Sequence, residues 1–221
     1  KDPKRAVELY KLAADQGHHV AQNNLGVEYS TGEVVVQSDQ LSFKYFKLSA
    51  DQGFAEAQST VGSRYADGKG VEQNDTKAFT FIKLAADQGD RNAQCNLGNM
   101  YYRGQGAVQS DELAFPFYKL AAEAGHAKAQ SYVGTFYANG IGGVTQSITK
   151  ARKWLSKAAI QGDEYAIGCL KQLDEHEGRT SNNGGGGNYD SGDIKTIRSK
   201  EEVLCGVDAE GTLHVKPGLN S

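Results

Sequence analysis

The sequence predicts an all-α solenoid built from five stacked helix pairs. The motif KLAADQG at 11–17 recurs in identical or degenerate form four times, and its glycine returns every 36 residues, with a last interval of 37. Two helical patterns fall within each period. A constant period of this length is typical of repeat proteins whose units pack on their neighbours. The five glycines are Gly17, Gly53, Gly89, Gly125 and Gly162.

The first helix of each repeat, helix A, is predicted to begin after a capping residue. Fifteen residues before each glycine stands a side chain whose oxygen can accept a hydrogen bond from an unpaired backbone N–H. The next position holds proline in the first repeat and aspartate in the following three, and both are favourable in a first helical turn. The glycine ends helix A, because it adopts the left-handed conformation without steric cost. The capping residues are Asp2, Ser38, Asn74, Ser110 and Ser147.

Helix A carries apolar residues around more than half of its circumference. A stripe of that width exceeds what one packing partner covers, so we expect helix A to pack against its own helix B and against a neighbouring repeat. The leucine of KLAADQG, Leu12 in the first repeat, is expected at the flank of this core. In the third repeat the apolar positions are Ala78, Phe79, Phe81, Ile82, Leu84, Ala85 and Ala86.

Aromatic side chains recur at three positions of the repeat, and such recurrence at helical spacing predicts core residues. Tyr102, Tyr132 and Phe136 do not recur, and we expect them among partner contacts instead. The recurring series are Phe43, Phe79 and Phe115; Tyr45, Phe81, Phe117 and Trp154; and Tyr29, Tyr65, Tyr101 and Tyr137.

Helix B, the second helix, contains the pattern A-Q-x-x-L-G-x-x-Y in the first four repeats, with valine replacing leucine in two of them. A glycine inside a helix costs about 0.5–1 kcal/mol relative to alanine, so its recurrence requires a packing reason. The last repeat has Lys171 in the glycine column and Asp174 in the tyrosine column. We therefore interpret the glycines as close-approach points for the following repeat. They are Gly26, Gly62, Gly98 and Gly134.

Three elements recur together: an AA-x-x-G helix end, the A-Q-x-x-L-G-x-x-Y pattern, and a loop with the pairs Gly68/Gly70 and Gly104/Gly106. In this combination residues 1–178 resemble the Sel1-like repeat family, a relative of the tetratricopeptide repeat. The tetratricopeptide repeat itself has a period of about 34 residues. The resemblance places repeats at about 1–37, 38–73, 74–109, 110–146 and 147–178, the last one degenerate.

The resemblance implies a right-handed α/α superhelix and a non-enzymatic adaptor or scaffold that presents a groove to a protein or peptide partner. An alternative is a hydrolase or small-ligand-binding member of the family. The cysteine-rich members linked to cell-wall or lactam chemistry carry a disulfide in each repeat, whereas no repeat of this chain contains a cysteine pair. A further alternative is a spacer within a larger multidomain protein that self-associates through its open N-terminal repeat.

The candidate partner-binding residues are charged pairs on the exposed side of helix A. A lysine six residues before the glycine precedes an acidic residue by four positions, so the two side chains are neighbours on the helix. Stacked repeats would align these pairs as a ladder facing a partner. The competing interpretation is a solvated face, where exposed ion pairs contribute little to stability. The pairs are Lys11/Asp15, Lys47/Asp51, Lys83/Asp87 and Lys119/Glu123.

Composition narrows the class of protein. The net charge is −3 with both signs well mixed, which argues against nucleic-acid binding by phosphate neutralisation. No run of 18 or more apolar residues predicts a membrane span. Three cysteines without paired spacing favour a reducing compartment such as the cytoplasm. With no catalytic, metal-ligating or dinucleotide-binding motif, we expect no cofactor. The start at Lys1 has the character of a cut through a longer protein.

The C-terminal part of the chain differs from the repeats. Residues 179–193 are rich in glycine and asparagine and contain one aromatic but no aliphatic side chain. They cannot bury enough apolar surface to offset the entropy lost on ordering, so they predict a flexible linker. Residues 194–221 are predicted to be a tail, either disordered or with a short hairpin around 208–211.

Overall fold

The computed structural model describes residues 2–182, with side chains as far as residue 175, and two short strands beyond them. The strands β1 (Gly206–Val207) and β2 (Leu213–His214) pair in antiparallel fashion. Helices A and B alternate along the described chain, and the predicted all-α fold of five helix pairs is confirmed. The helices are α1 Pro3–Asp15, α2 His19–Thr31, α3 Asp39–Asp51, α4 Ala55–Asp67, α5 Asp75–Asp87, α6 Arg91–Arg103, α7 Asp111–Glu123, α8 Ala127–Asn139, α9 Ile148–Ile160 and α10 Glu164–Asn182.

The last helix is longer than the others. Residues 179–182, which the sequence assigns to the linker, belong to α10. This stretch contains no proline, and extending a formed helix costs much less than nucleating one. The remainder of the predicted linker lies outside the described residues, as does most of the predicted tail.

The chain divides into two compact bodies, the N-terminal body (Lys1–Ala121) and the C-terminal body (Ala122–Ser221). A core in the N-terminal body is formed by α3 to α6, where Phe46, Val61, Ile82 and Leu97 are buried together. The C-terminal body has its own core around Leu155, to which α8, α9 and α10 all contribute. Helix A therefore packs on two sides, as predicted, since α3 contacts both α2 and α4.

All five predicted helix caps are confirmed. Asn74 Oδ1, for example, accepts a hydrogen bond from the backbone N–H of Lys77 at 2.9 Å, and Ser110 Oγ accepts one from Leu113 at 3.2 Å. The five repeat glycines have φ between +83° and +88°, the left-handed conformation in which a helix ends. The two ends of helix A are therefore fixed by local sequence.

The glycines inside helix B are the points where successive repeats touch, as predicted. A Cβ atom at Gly62 would lie 2.6 Å from Cγ1 of Ile82 in the next helix A. The residue that fills this space changes from joint to joint: it is Phe46 against Gly26, Tyr118 against Gly98 and Leu155 against Gly134. We call each of these contacts a glycine joint.

A glutamine network, which the sequence analysis did not anticipate, accompanies the joints. The glutamine of the A-Q pattern donates its amide to a carbonyl near the end of its own helix A, as Gln58 does to Ala50 at 3.2 Å. Its side-chain oxygen accepts from the glutamine of the next D-Q-G motif, as from Gln88 at 2.7 Å. The C-terminal body repeats this with Gln130 and Gln161 at 2.8 Å. The fourth repeat carries alanine in this column, at Ala124.

Candidate partner-binding surface

The candidate site lies on the exposed side of helix A in the N-terminal body. In α3 the buried side holds Phe46 and Ala50, while Lys47, Leu48 and Asp51 point away from the core. Each repeat of this body meets the next through the same glycine joint. Equivalent positions of α1, α3, α5 and α7 therefore recur on the same side of the stack, which we call the helix-A surface.

The structure joins two of the predicted charged pairs as ion pairs. Lys47 Nζ lies 2.6 Å from Asp51 Oδ1, and Lys83 Nζ lies 2.7 Å from Asp87 Oδ2. The hydrogen bond to Asp87, followed by its negative charge, raises the pKa of Lys83 above its usual value.

The first and fourth predicted pairs lie on α1 and α7. Lys11 and Asp15 form no ion pair with each other in the described part of the chain, although both are exposed on α1. Lys119 and Glu123 occupy the equivalent exposed positions of α7.

The leucines beside these lysines are exposed, and the prediction that they flank the core is wrong. Their exposed fractions are 59% for Leu12, 41% for Leu48, 44% for Leu84 and 49% for Leu120. The reason is geometric, because the two small residues that follow them in the motif, two alanines or Ser49 and Ala50, take the core-facing positions, and the leucine lies about 100° further around the helix. The four form a set that we call the leucine row.

Aromatic rings border the leucine row. Tyr65 of α4 stacks on Phe81 of α5 with a centroid distance of 5.9 Å, and Lys47 Nζ lies 5.3 Å from the centre of the Phe81 ring. The same stacking joins Tyr29 to Tyr45 at 5.6 Å. Burial, followed by electrostatic interaction with Tyr29 and with the Asp15 carboxylate, raises the pKa of Tyr45. Tyr65 is buried, whereas Phe81, Tyr29 and Tyr45 are half-buried, so these rings belong both to the core and to the edge of the surface.

The three non-recurring aromatics have different surroundings. Phe136 is buried, with 3% of its surface exposed, and the prediction that it contacts a partner is wrong. It occupies a core-facing position of α8, as Met100 does in α6. Tyr102 and Tyr132 are half-buried. Burial, followed by the charge of Asp111, raises the pKa of Tyr102.

A polar cleft of about 680 Å³ lies between the start of α3 and the loop after α4. Beside it Arg64 is buried, donates to Ser30 Oγ at 2.9 Å and places Nη1 3.5 Å from Asp39 Oδ1. Lys69 Nζ lies 3.7 Å from the same carboxylate oxygen. This cluster connects α4 to the start of its own helix A and to the preceding repeat, so its role is structural.

Among the described residues, no three histidine, cysteine or acidic side chains are grouped so that they could hold a metal ion. Cys95 and Cys169 are buried, the latter in the core of the C-terminal body. Across the helices of the described region, none has the length and apolar character needed to cross a bilayer.

Comparison with protein families identifies the repeat. The Sel1 repeat model matches residues 1–18, 19–54, 55–90, 91–126 and 127–163. These segments each start with helix B and continue into the next helix A, apart from the first, which covers α1 alone. A comparison with curated protein sequences finds no match.

Comparison with solved structures finds the same architecture. A protective antigen present in uropathogenic Escherichia coli strains, which displays an SLR fold, is 35% identical, with a TM-score of 0.74 over 80% of this chain. The chain spans 38% of that antigen's length. A Sel1 repeat protein from Oxalobacter formigenes is 35% identical, with a TM-score of 0.71 over 76% of this chain and 68% of its own. An immunity protein from Pseudomonas aeruginosa shares the fold at 24% identity, with a TM-score of 0.50 over 76% of this chain and 61% of its own.

Proposed function

The chain belongs to the Sel1 repeat family, and we propose that it is a non-enzymatic scaffold that binds a protein or peptide partner through the helix-A surface. The observation that carries this proposal is the leucine row. Four large apolar side chains at one position of successive repeats remain about half exposed, next to charged side chains. Exposed apolar surface that recurs in this way is typical of a protein interface.

The leucines and the charged pairs have complementary tasks in this proposal. Burying a leucine side chain against a partner contributes about 1.5–3 kcal/mol when it becomes fully buried. Lys47/Asp51 and Lys83/Asp87 lie beside the row, where they select the partner and its orientation by charge. Lys11, Asp15, Lys119 and Glu123 extend the same pattern to the first and fourth repeats.

The first test removes the leucine row. A purified Leu48→Ser/Leu84→Ser variant and the wild type are used to capture proteins from an extract of the source cells, and the captured proteins are quantified side by side. A partner of the helix-A surface should be retained at least about tenfold less by the variant, given the free energy of burying two leucines. The matched control is Val36→Ser/Val108→Ser, which removes two exposed apolar side chains from loops outside the row.

The second test reverses the charges. In Lys47→Glu/Lys83→Glu/Lys119→Glu each lysine is replaced beside an acidic residue that would then repel it. The captured partner should be lost while the thermal midpoint remains nearly unchanged, because exposed pairs contribute little to folding. Binding that is the same for the wild type, the leucine variant and the lysine variant would contradict the proposed surface.

The non-enzymatic part of the proposal is supported by the tasks of the recurring polar residues. The glutamines of A-Q and D-Q-G bind each other and the backbone, and the serine and asparagine residues before helix A cap it. Neither group is left available for chemistry on a substrate. A screen of the wild-type protein against a panel of hydrolase substrates tests this directly. Turnover that disappears when a single side chain is replaced would favour the enzyme alternative.

Self-association through α1 is a second candidate function. The side of α1 that holds Tyr10 is half exposed, whereas the equivalent Phe46 of α3 is buried against Gly26 of the preceding helix B. A second copy that covers Tyr10 would make the average mass in light scattering rise with concentration. Tyr10→Lys should abolish that rise. A mass that stays monomeric at every concentration would exclude this candidate.

A further inference from the structure

The exposed side of α9 carries a basic and aromatic stripe. Lys150, Lys153, Trp154 and Lys157 are spaced i, i+3, i+4 and i+7, so they share one side of the helix. The opposite side of α9 is buried in the core of the C-terminal body. We call these four residues the α9 stripe. The three lysines are exposed, and the tryptophan is half-buried.

The stripe departs from the pattern of the preceding repeats. Aligned on the repeat glycine, Lys157 stands where the leucine row has leucine, while Lys150 continues a column that holds Arg5 in α1 and Lys77 in α5. The columns that hold lysine and an acidic residue in the first four repeats hold Ser156 and Ile160 here. The fifth repeat has thus exchanged the exposed leucine of the leucine row for lysine at position 157, and it has lost the acidic residue of the charged pairs.

The positive charges of the stripe are not neutralised by neighbouring side chains. Within residues 2–175, no carboxylate forms an ion pair with Lys150, Lys153 or Lys157, and α9 contains no acidic residue. The fourth cation of this helix, Arg152, is paired with Asp174 of α10 at 2.5 Å. Asp163, at the start of α10, accepts hydrogen bonds from Ser131 Oγ and from the Ala166 backbone.

Two aromatic rings hold the ammonium groups in place. Lys157 Nζ lies 4.6 Å from the centre of the Trp154 ring, and Lys150 Nζ lies 5.2 Å from the centre of the Tyr137 ring. A lysine held over a ring gains cation–π attraction and retains fewer conformations. Less side-chain entropy then remains to be lost when an anion binds.

We propose that the α9 stripe binds an acidic segment of a partner protein, whose carboxylates meet the three ammonium groups while its apolar portion rests on Trp154. The stripe shares no residue with the helix-A surface of the N-terminal body. The inference therefore goes beyond the proposed function, and each can fail without the other.

The size and charge of the stripe favour a protein segment over the other anionic partners. From Lys150 to Lys157 the helix rises by about 10 Å, a length that a few carboxylates can match. Duplex DNA carries a charge about every 1.7 Å, and its binding depends on many phosphate contacts along a basic face. The whole chain has a net charge of −3, which would oppose such an extended contact.

Trp154 provides a site-specific readout, because it is the only tryptophan in the chain. The full chain is titrated with a short blocked peptide of alternating glutamate and alanine while the tryptophan fluorescence and the indole N–H resonance are followed. The peptide should perturb both signals, and the affinity should fall as salt is added. The same peptide with lysine in place of glutamate should leave both signals unchanged.

Charge reversal then locates the site. Lys150→Glu/Lys153→Glu/Lys157→Glu should weaken the acidic peptide at least about tenfold, since every contacting charge becomes repulsive. The matched control, Lys4→Glu/Lys44→Glu/Lys128→Glu, changes the net charge equally at exposed lysines of three other helices and should bind as the wild type does. If the first variant fails to fold by circular dichroism, Lys150→Gln/Lys153→Gln/Lys157→Gln is measured in its place.

Three outcomes would overturn the inference. A peptide that leaves Trp154 unperturbed at every concentration would show that no acidic segment binds here. Equal loss of binding in both triple variants would show that only net charge matters. Tighter binding of duplex DNA, or of vesicles containing phosphatidylserine, with the same Trp154 response would assign the stripe to a nucleic acid or to a membrane surface.

Discussion

Gln52 donates its side-chain amide to the side-chain oxygen of Gln22 at 2.6 Å, across the boundary between two repeats. The amide of Gln22 in turn donates to the backbone carbonyl of Ala14 at 3.2 Å. One amide pair therefore connects helices A and B of a repeat to helix A of the next. Because a buried amide without a hydrogen-bond partner is destabilising, this network favours the correct register between repeats.

We expect Gln58→Ala to lower the free energy of unfolding by about 1–3 kcal/mol, because it leaves the buried Ala50 carbonyl without this donor and Gln88 without its acceptor. Gln88→Ala removes a more exposed side chain and should cost about 0.5–1.5 kcal/mol. Urea denaturation of the two single variants and of the double variant measures both effects. If the double variant equals the sum of the singles, the two amides do not act as a unit.

Gly62→Ala should destabilise the protein by about 1–3 kcal/mol, because its Cβ would lie 2.6 Å from Ile82 Cγ1 at a glycine joint. The matched control is Gly168→Ala in α10, where an added Cβ would have no heavy atom within 4 Å. That change should stabilise the protein by about 0.5–1 kcal/mol through the better helix propensity of alanine. Two changes of the same sign in thermal denaturation would contradict the joint.

His18→Asp should stabilise the protein by about 0.5–1 kcal/mol through a better helix cap. His18 Nδ1 accepts the Ala21 backbone N–H at 3.3 Å, whereas at the equivalent position Asp90 Oδ1 accepts that of Ala93 at 2.6 Å. A carboxylate also interacts favourably with the positive end of the helix. Guanidinium denaturation measures the gain, with Asp90→Ala as a reference that should lose about 1 kcal/mol. A net loss would mean that the stacking of His18 on His19 outweighs the cap.

Leu84→Ala should change the free energy of unfolding by less than about 1 kcal/mol, because nearly half of the side chain is exposed in the folded protein. Leu97→Ala, at a fully buried position of helix B, should cost about 2–5 kcal/mol. Urea denaturation of the two variants compares them. Similar losses would show that Leu84 belongs to the core, and the leucine row would then lose its claim to be a binding surface.

Pro116→Ala should raise stability by about 1–3 kcal/mol. Pro116 lies inside α7, where it cannot donate the backbone hydrogen bond that the Glu112 carbonyl would otherwise accept. Its side chain is exposed, so the replacement removes no core packing. Differential scanning calorimetry should show a higher midpoint. An unchanged midpoint would indicate that α7 is already bent around the missing bond.

The sequence predicts the helix pairs and their joints because each depends on a local rule that recurs. A capping side chain and a left-handed glycine define the two ends of helix A. Lys171 replaces the helix-B glycine only in the last repeat, and this indicates that Gly62 and its equivalents are needed for contact with the following repeat. The sequence also predicts two of the ion pairs on helix A, since they follow from i, i+4 spacing alone.

The exposed leucines and the glutamine network were missed for physical reasons. Leucine is usually a buried residue type, so the sequence predicts a core position for Leu48. Only the rotation of helix A against its neighbours determines that Leu48 is exposed. The bond between Gln22 and Gln52 joins two motifs thirty residues apart, and no local rule pairs them. The parallel recurrence of both glutamines, with Ala124 as the exception, is the signal that could have indicated it.

The glycine joint also determines which piece of the chain can be exchanged. A segment such as 19–54 begins with helix B and ends after the next helix A, so it contains both halves of one joint, Gly26 and Phe46. The contacts inside each helix pair use nearly the same residues in every repeat, while the residue filling a joint varies. Gain or loss of one whole segment therefore keeps each helix-B glycine together with the residue that packs against it. A protein built in this way can change its length by recombination without redesigning its core.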